Sequence, residues 1–221
     1  MGTRYSEIKN YCHHNHVTLV AISKTRTPDQ ILELNEQGQK IFGENKVQEL
    51  VVKHETVNKS IEWHLVGHLQ TNKVKFVVPF VSLIQSVDSW KLLLEINKQA
   101  KQNNRVVDVL LQIHIGRELT KFGLSFQEAR EILHHPELAK LNRISIKGLM
   151  GMASLTDNEN QIRSEFRSLK LFFEEMKSGV SGLQMTGSDP ATLSMGMSND
   201  FRIAIEEGST MVRIGSAIFG G

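Results

Sequence analysis

Cysteine and proline are scarce in this chain of 221 residues, which has one cysteine, Cys12, and four prolines. A single cysteine excludes an intrachain disulfide, which suits a reducing compartment and leads us to expect a cytoplasmic protein. No apolar run approaches the length that spans a bilayer, so a membrane partner is not expected. Lysine and arginine number 26 against 24 aspartates and glutamates, a balance that does not favour a nucleic-acid partner.

Several motifs of nucleotide-binding and hydrolytic enzymes are also missing. The sequence has no Walker A motif, no Gly-x-Gly-x-x-Gly fingerprint and no Gly-x-Ser-x-Gly elbow. His64 and His68 stand four residues apart, but they fall on a predicted strand that runs into Gly67, and no glutamate follows His64. Zinc-binding histidines at this spacing need a helix, so we expect no bound metal.

Short apolar segments alternate with longer amphipathic segments along the chain. Several short segments are apolar on both faces, which is typical of parallel strands covered by helices on both sides. Strands that alternate with helices indicate βαβ units, and eight such units favour a closed (β/α)8 barrel of the TIM type over an open doubly wound sheet. The predicted strands are Val17–Ser23, Lys40–Phe42, Trp63–Val66, Leu83–Ser86, Val106–Ile115, Ile144–Met150, Leu183–Thr186 and Met211–Ile214.

Helix signals fill the intervals between these strands. Pro28 and Ser89 stand at typical helix starts, and residues 162–176 carry apolar side chains at spacings of three and four. Residues 5–13 predict one short helix ahead of the first strand. No linker, repeat or change of composition interrupts this alternation, so residues 1–221 are predicted to form a single domain.

Functional groups of (β/α)8 barrels lie at the mouth, where strands end and the following loops begin. Lys24 follows the first strand directly, in the segment Ala21-Ile22-Ser23-Lys24-Thr25. One interpretation is a lysine that extends into solvent, which its position alone favours. The other is an amine held in a pocket, where its surroundings enable it to form a Schiff base.

Polar residues also follow the second and third strands. Asn45 comes after Phe42-Gly43-Glu44 and either caps the next helix, with Gln48 completing a capping box, or points its amide at a ligand. Its spacing alone favours the cap. His68 either lines the mouth or is a structural histidine with partners of its own, and the residue pattern leaves both open.

The loops after the last two predicted strands are rich in glycine and serine. The first contains Gly187–Pro190 and then Leu193–Ser198, and the second contains Gly215-Ser216. Barrels of this type bind phosphate with free amides of these two loops, so the pattern favours a phosphate site over ordinary tight turns. Arg213 lies inside the last strand and stays charged, so it needs a carboxylate partner or the ring of a bound cofactor.

Together these motifs resemble one family, the YggS/PROSC-like pyridoxal phosphate homeostasis proteins. The resemblance covers nearly the whole chain in order, and the family is similar to the barrel domain of alanine racemase. The matching segments are Leu19–Thr25, Phe42–Asn45, Trp63-His64 with Gly67–Gln70, Ser86–Ser89, Lys121–Gly123, Gly148–Met150, Leu193–Ser198 and Gly208 through Gly220.

The resemblance implies a set of residues that bind pyridoxal 5′-phosphate, with no catalytic residue and no metal among them. They are Lys24 as the Schiff-base lysine, Ser194, Gly215 and Ser216 at the phosphate, Arg213 at the pyridine nitrogen, and Asn45 and His68 in the mouth.

The resemblance also implies a carrier of the cofactor rather than an enzyme. A cation beside the pyridine nitrogen disfavours its protonation, and an unprotonated ring is a poorer electron sink. A barrel without a second domain leaves the cofactor within reach of solvent. We therefore expect a monomer that takes part in pyridoxal phosphate homeostasis, with pyridoxal-dependent apoenzymes as recipients. The alternatives are a weak pyridoxal-dependent racemase or related enzyme, and a phosphate-binding barrel enzyme without pyridoxal.

Overall fold

Eight parallel strands close into a barrel in the order in which they occur in the chain, and the last strand pairs with the first. The computed structural model describes residues 2–57, 60–117, 122–179 and 192–220. The predicted (β/α)8 fold is confirmed, and the open doubly wound sheet is wrong. The strands are β1 (Thr18–Ile22), β2 (Ile41–Glu44), β3 (Glu62–Leu65), β4 (Leu83–Val87), β5 (Val107–His114), β6 (Ile144–Met152), β7 (Thr192–Ser194) and β8 (Met211–Ile214).

Helices lie between the strands, before the first one and after the last one. They are α1 (Gly2–His14), α2 (Pro28–Glu36), α3 (Val47–Thr56), α4 (Val74–Val77), α5 (Trp90–Gln102), α6 (Phe126–Leu133), α7 (Glu159–Gly179), α8 (Phe201–Glu206) and α9 (Ser216–Phe219), with 3-10 turns at Thr71–Lys73 and Leu138–Lys140. In the part of the chain that the structure describes, none of these helices has the length and apolarity to cross a membrane.

Side-chain capping confirms two of the predicted helix starts. Thr27 and Gln30 form a capping box around Pro28 at the start of α2. Ser89 accepts a hydrogen bond from the amide of Leu92 at the start of α5. These caps fix where the chain turns from the barrel mouth back along the outside of the sheet.

Alternation of side chains along the strands produces two apolar layers. Outward-facing residues such as Leu19 and Ala21 pack in the main core beneath the helices. A second, smaller cluster fills the inside of the barrel and consists of Val20, Ile22, Leu83, Leu110, Met150 and Met211. Val20 and Ile22 therefore face inward, and Lys24 follows in the turn just beyond the end of β1.

The seventh strand lies later in the chain than the sequence predicts. The predicted segment Leu183–Thr186 lies outside the described residues, and β7 occupies the place between β6 and β8. Within the described residues this strand has three members, too few to show a pattern, and Gly196, whose φ is +97°, follows shortly after it. Ser194 therefore belongs to one of the eight strands that form the barrel, and its assignment to a loop is wrong.

Candidate functional site

Lys24 lies at the mouth of the barrel, two residues after the end of β1, and its side chain is exposed. The mouth therefore offers a primary amine to a ligand that arrives from solvent. The next residue, Thr25, has a φ of +62°. A residue other than glycine adopts this left-handed conformation at a cost of about 1–2 kcal/mol, so neighbouring contacts must hold the turn in place.

Polar groups of β2 and α3 hold the two residues that flank Lys24. Nζ of Lys53 donates a hydrogen bond to the carbonyl oxygen of Ser23 at 2.6 Å. The amide of Thr25 donates to Oε2 of Glu49 at 3.1 Å, and this hydrogen bond lowers the pKa of the Glu49 carboxyl. The backbone is therefore fixed on both sides of Lys24, while the lysine side chain remains exposed.

Lys53 and Glu44 form a buried ion pair beneath this turn, with 2.6 Å between Nζ and Oε1. Burial raises the pKa of the Glu44 carboxyl, and hydrogen bonds from Lys53 and from the hydroxyl of Ser23 act against that rise. Oε2 of Glu44 has no hydrogen-bond partner within the described residues. The charge of Glu44 therefore depends on Lys53 for its compensation.

Asn45 does not cap the helix that follows it. The residue before α3 is Lys46, whose side chain makes no capping hydrogen bond, so the capping box with Gln48 is wrong. Asn45 instead follows β2 at the mouth, with an exposed side chain. A Cβ on Gly67 would overlap the carbonyl oxygen of Asn45, so a glycine is needed for the two loops to meet here. Contact between Asn45 and a ligand stays a prediction.

His68 has protein partners on two sides. Its Nδ1 lies 3.0 Å from Oδ2 of Asp88, and its ring stacks on Phe122 with 3.9 Å between centroids. These contacts favour the interpretation of His68 as a structural histidine at the rim. Its side chain is 34% exposed, and its contact with a cofactor stays a prediction.

Backbone amides at the start of α9 form an oxygen-binding position. The hydroxyl of Ser198 accepts hydrogen bonds from the amides of Gly215 and Ala217, each at 3.3 Å. A Cβ on Gly215 would lie 3.1 Å from the carbonyl oxygen of Ile22, so glycine lets this loop approach the end of β1. The amides therefore lie beside the strand that leads to Lys24, which is where the sequence predicts a phosphate.

Arg213 is buried inside the barrel, next to Val20 of β1. Nη1 donates to the hydroxyl of Ser194 at 2.6 Å, and Nη2 donates to the carbonyl oxygen of Gly151 at 3.0 Å. Burial lowers the pKa of Arg213 to about 10, while the charge of Asp200 acts to raise it. The guanidinium thus stays charged at neutral pH, and both of these acceptors are uncharged.

A chain of hydrogen bonds continues from Arg213 across the barrel interior. The hydroxyl of Ser194 donates to Oε1 of Gln85 at 2.7 Å, and Nε2 of Gln85 lies 3.0 Å from Nδ1 of His64. All four side chains are buried. Burial lowers the pKa of His64 to about 3, so its imidazole is neutral at physiological pH.

Sequence reasoning missed three polar residues of this region. Ser198 contacts the amides of α9, whereas Ser194, the serine predicted at the phosphate, contacts Arg213 and Gln85. Gln85 and Lys53 lie within a strand and a helix rather than in loops, so a search of the strand ends does not reach them. The available signal is a polar residue among buried apolar ones, since buried polar groups need partners.

A family model for the N-terminal domain of alanine racemase matches residues 2–221. The closed barrel described above therefore belongs to the class of alanine racemase N-terminal domains. Within this class, the chain belongs to the family of the pyridoxal phosphate homeostasis proteins, as the sequence predicts. The pyridoxal phosphate homeostasis protein of Aquifex aeolicus is 40% identical to it over 207 residues, which are 93% of this chain and 87% of that protein.

Two solved structures extend the comparison. PipY of Synechococcus elongatus, in a structure with PLP bound, superposes with a TM-score of 0.86 at 32% identity, over 99% of this chain and 100% of PipY. Alanine racemase of Clostridium difficile superposes with a TM-score of 0.76 at 15% identity, over 99% of this chain and 58% of the racemase. The racemase shares the fold, which confirms the predicted similarity to its barrel domain.

Proposed function

We propose that this protein binds pyridoxal 5′-phosphate through Lys24 and keeps the cofactor available in the cytoplasm, without catalytic turnover of its own. The observation that carries the proposal is the arrangement at the mouth, where an exposed lysine follows β1 and the amides of Gly215 and Ala217 follow the neighbouring β8. The homeostasis proteins of the family and the PLP-bound PipY support it.

The residues at the mouth fit this cofactor. When bound, pyridoxal phosphate supplies an aldehyde that combines reversibly with amines and a ring that withdraws electrons. Lys24 offers the amine for a Schiff base. The amides of Gly215, Ser216 and Ala217 would offer donors for phosphate oxygens beside the hydroxyl of Ser198, to which those of Gly215 and Ala217 donate. The lack of a Cβ on Gly215 lets this loop lie against Ile22. Asn45 and His68 would border the ring, and Ser194 would accept a hydrogen bond from Arg213.

Arg213 favours a carrier over an enzyme. Its guanidinium is a hydrogen-bond donor that cannot accept a proton, and it stays charged although burial lowers its pKa to about 10. Beside the pyridine nitrogen, such a cation opposes protonation of the ring. An unprotonated ring stabilises a substrate carbanion poorly, which argues against racemase chemistry.

The exposure of Lys24 supports release of the cofactor to other proteins. An exposed lysine would let an amine or a second protein reach the cofactor that it holds, whereas a catalyst of this class excludes water from its reacting groups. We propose pyridoxal-dependent apoenzymes as the recipients and a monomer as the acting form. Activation of an apoenzyme by the loaded protein, and sedimentation velocity with and without cofactor, test these two points.

Titration of the purified protein with pyridoxal phosphate tests the binding. We expect an absorbance band at roughly 420 nm, the usual Schiff-base band of this cofactor. Lys24→Ala should lose the band, and Lys46→Ala should keep it, because Lys46 is a mostly exposed lysine at the same end of the barrel. Borohydride reduction and peptide mass spectrometry should then locate the added mass at Lys24. A protein that stays colourless would overturn the proposal.

Exchange of the α-proton of alanine in deuterated water separates the carrier from the weak racemase. We expect the loaded protein to exchange no faster than free cofactor at the same concentration. Exchange above that rate, abolished by Lys24→Ala, would show an enzyme instead.

A further inference from the structure

We infer that Gln85 is a positioning residue for Arg213 and acts on it through the hydroxyl of Ser194. The inference rests on the proposed function, in which Arg213 faces the pyridine nitrogen of the bound cofactor. It deepens that function, because Gln85 would then influence the cofactor without touching it.

The direction of the interior hydrogen bonds follows from the chemistry of Arg213. A guanidinium only donates, so the hydroxyl of Ser194 must accept from Nη1. The proton of that hydroxyl is then available to Oε1 of Gln85, which lies 2.7 Å away. Both hydrogen bonds therefore donate in the same direction, from Arg213 to Ser194 and from Ser194 to Gln85.

The same direction continues from Gln85 to His64. With Oε1 accepting from Ser194, the amide nitrogen of Gln85 faces Nδ1 of His64 at 3.0 Å. An amide nitrogen donates, so Nδ1 must be unprotonated and the ring must carry its proton on Nε2. The neutral His64 provides the acceptor that keeps the amide of Gln85 from turning over.

Packing holds Gln85 in the place that this chain requires. Its side chain is fully buried, and Nε2 also lies 3.3 Å from the sulfur of Met211 in β8. Gln85 of β4 thus bridges His64 of β3 and two strands on the opposite side of the barrel, through Ser194 and Met211. Such a bridge limits the movement of Ser194 and therefore of the guanidinium bonded to it.

Removal of the acceptor on Gln85 should release Ser194. In Gln85→Met, a side chain of similar length offers no strong acceptor to the hydroxyl, which can then turn away from its bonded position. Arg213 loses one fixed contact and can leave the pyridine nitrogen. The ring then protonates more readily, and its absorbance moves to longer wavelength.

The test compares three variants loaded with pyridoxal phosphate. Gln85→Met should shift the absorbance maximum to longer wavelength and weaken binding about fivefold, the effect of one hydrogen bond between neutral groups. Gln85→Glu should restore the wild-type maximum, because one carboxylate oxygen still accepts from Ser194 and the neutral His64 can carry its proton on Nδ1 and donate to the other. Gln39→Met is the matched control: Gln39 is buried at the opposite end of the barrel, where Nε2 donates to the carbonyls of Leu19 and Ile41. It should lose stability and keep the wild-type maximum.

The possible results separate this inference from the proposed function. A wild-type protein without a cofactor band contradicts the proposed function itself. A wild-type band that Gln85→Met leaves unchanged overturns only the role of Gln85, and so does a shift that Gln85→Glu shares in full. If Gln85→Met does not fold, Ser194→Ala interrupts the same chain at its middle member and should shift the maximum in the same direction. An unshifted Ser194→Ala overturns the inference equally.

Discussion

Nζ of Lys53 lies 2.6 Å from the carbonyl oxygen of Ser23, the residue directly before Lys24. The same ammonium group lies 2.6 Å from Oε1 of the buried Glu44. One side chain of α3 thus both compensates a buried charge and fixes the turn that carries Lys24.

Lys53→Met should destabilise the protein by about 3–5 kcal/mol, because it leaves the carboxylate of Glu44 buried without its cation. Urea denaturation followed by circular dichroism measures this change. The double variant Glu44→Gln/Lys53→Met should recover part of the loss. A double variant no more stable than Lys53→Met would show that the unpaired charge is not the cause.

Stability should fall in acid because His64 must stay neutral in the folded protein. Burial lowers the pKa of His64 from its ordinary 6.5 to about 3, so between these pH values the unfolded chain binds a proton that the folded chain does not. The free energy of unfolding therefore rises with pH across this window, with a limiting slope of about 1.4 kcal/mol per pH unit. As the pH falls through the same window, the protein loses this stability. His64→Gln keeps an acceptor for Gln85 and should remove this slope. Equal slopes in both proteins would contradict the assignment.

Ser198→Ala should weaken binding of pyridoxal phosphate by about five- to tenfold, the worth of one hydrogen bond. The hydroxyl of Ser198 lies against the amides of Gly215 and Ala217 and is placed to donate to an oxygen bound there. Ser216→Ala keeps its backbone amide and loses only an exposed hydroxyl, so its affinity should stay at the wild-type value. Absorbance titration gives both dissociation constants. If Ser216→Ala weakened binding more than Ser198→Ala, the phosphate would lie away from Ser198.

Gly67→Ala should destabilise the protein and weaken cofactor binding together. The added Cβ would overlap the carbonyl oxygen of Asn45 and force apart the loops after β2 and β3, at a cost of about 1–3 kcal/mol. In Gly220→Ala the added Cβ meets nothing within 4 Å, so only the cost of its positive φ remains. Thermal unfolding and cofactor titration of both variants check this. A Gly67→Ala protein that binds the cofactor with normal affinity would show that the loop of Asn45 does not contribute to the binding site.

The fold could be predicted because strand spacing and two-sided apolar strands are properties of local sequence. The barrel order, the position of Lys24 and the caps at Pro28 and Ser89 follow from such signals. The position of the seventh strand does not follow from the sequence, because three residues among glycines and serines carry no periodicity. The predicted cap at Asn45 is wrong because α3 begins after Lys46, one residue later than the motif suggests.

The partners of the site residues could not be predicted from the sequence. Which serine meets the amides of α9 depends on how β7 and the following turn are placed, and Ser194 and Ser198 look alike in the sequence. The links from Arg213 to Gln85 and from Lys53 to Ser23 join residues far apart in the chain. Such contacts depend on barrel closure rather than on any local pattern.

Pairing of β1 with β8 places Arg213 on the strand next to the one that leads to Lys24, although the two residues lie far apart in the sequence. A nascent polypeptide on the ribosome therefore exposes the lysine well before it has the arginine or the amides of α9. Pairing of the first strand with the last has the longest sequence separation of any strand pair in the barrel, and such contacts form slowly. Capture of the cofactor should thus report on completed folding, since the half-made protein carries the amine without the site around it.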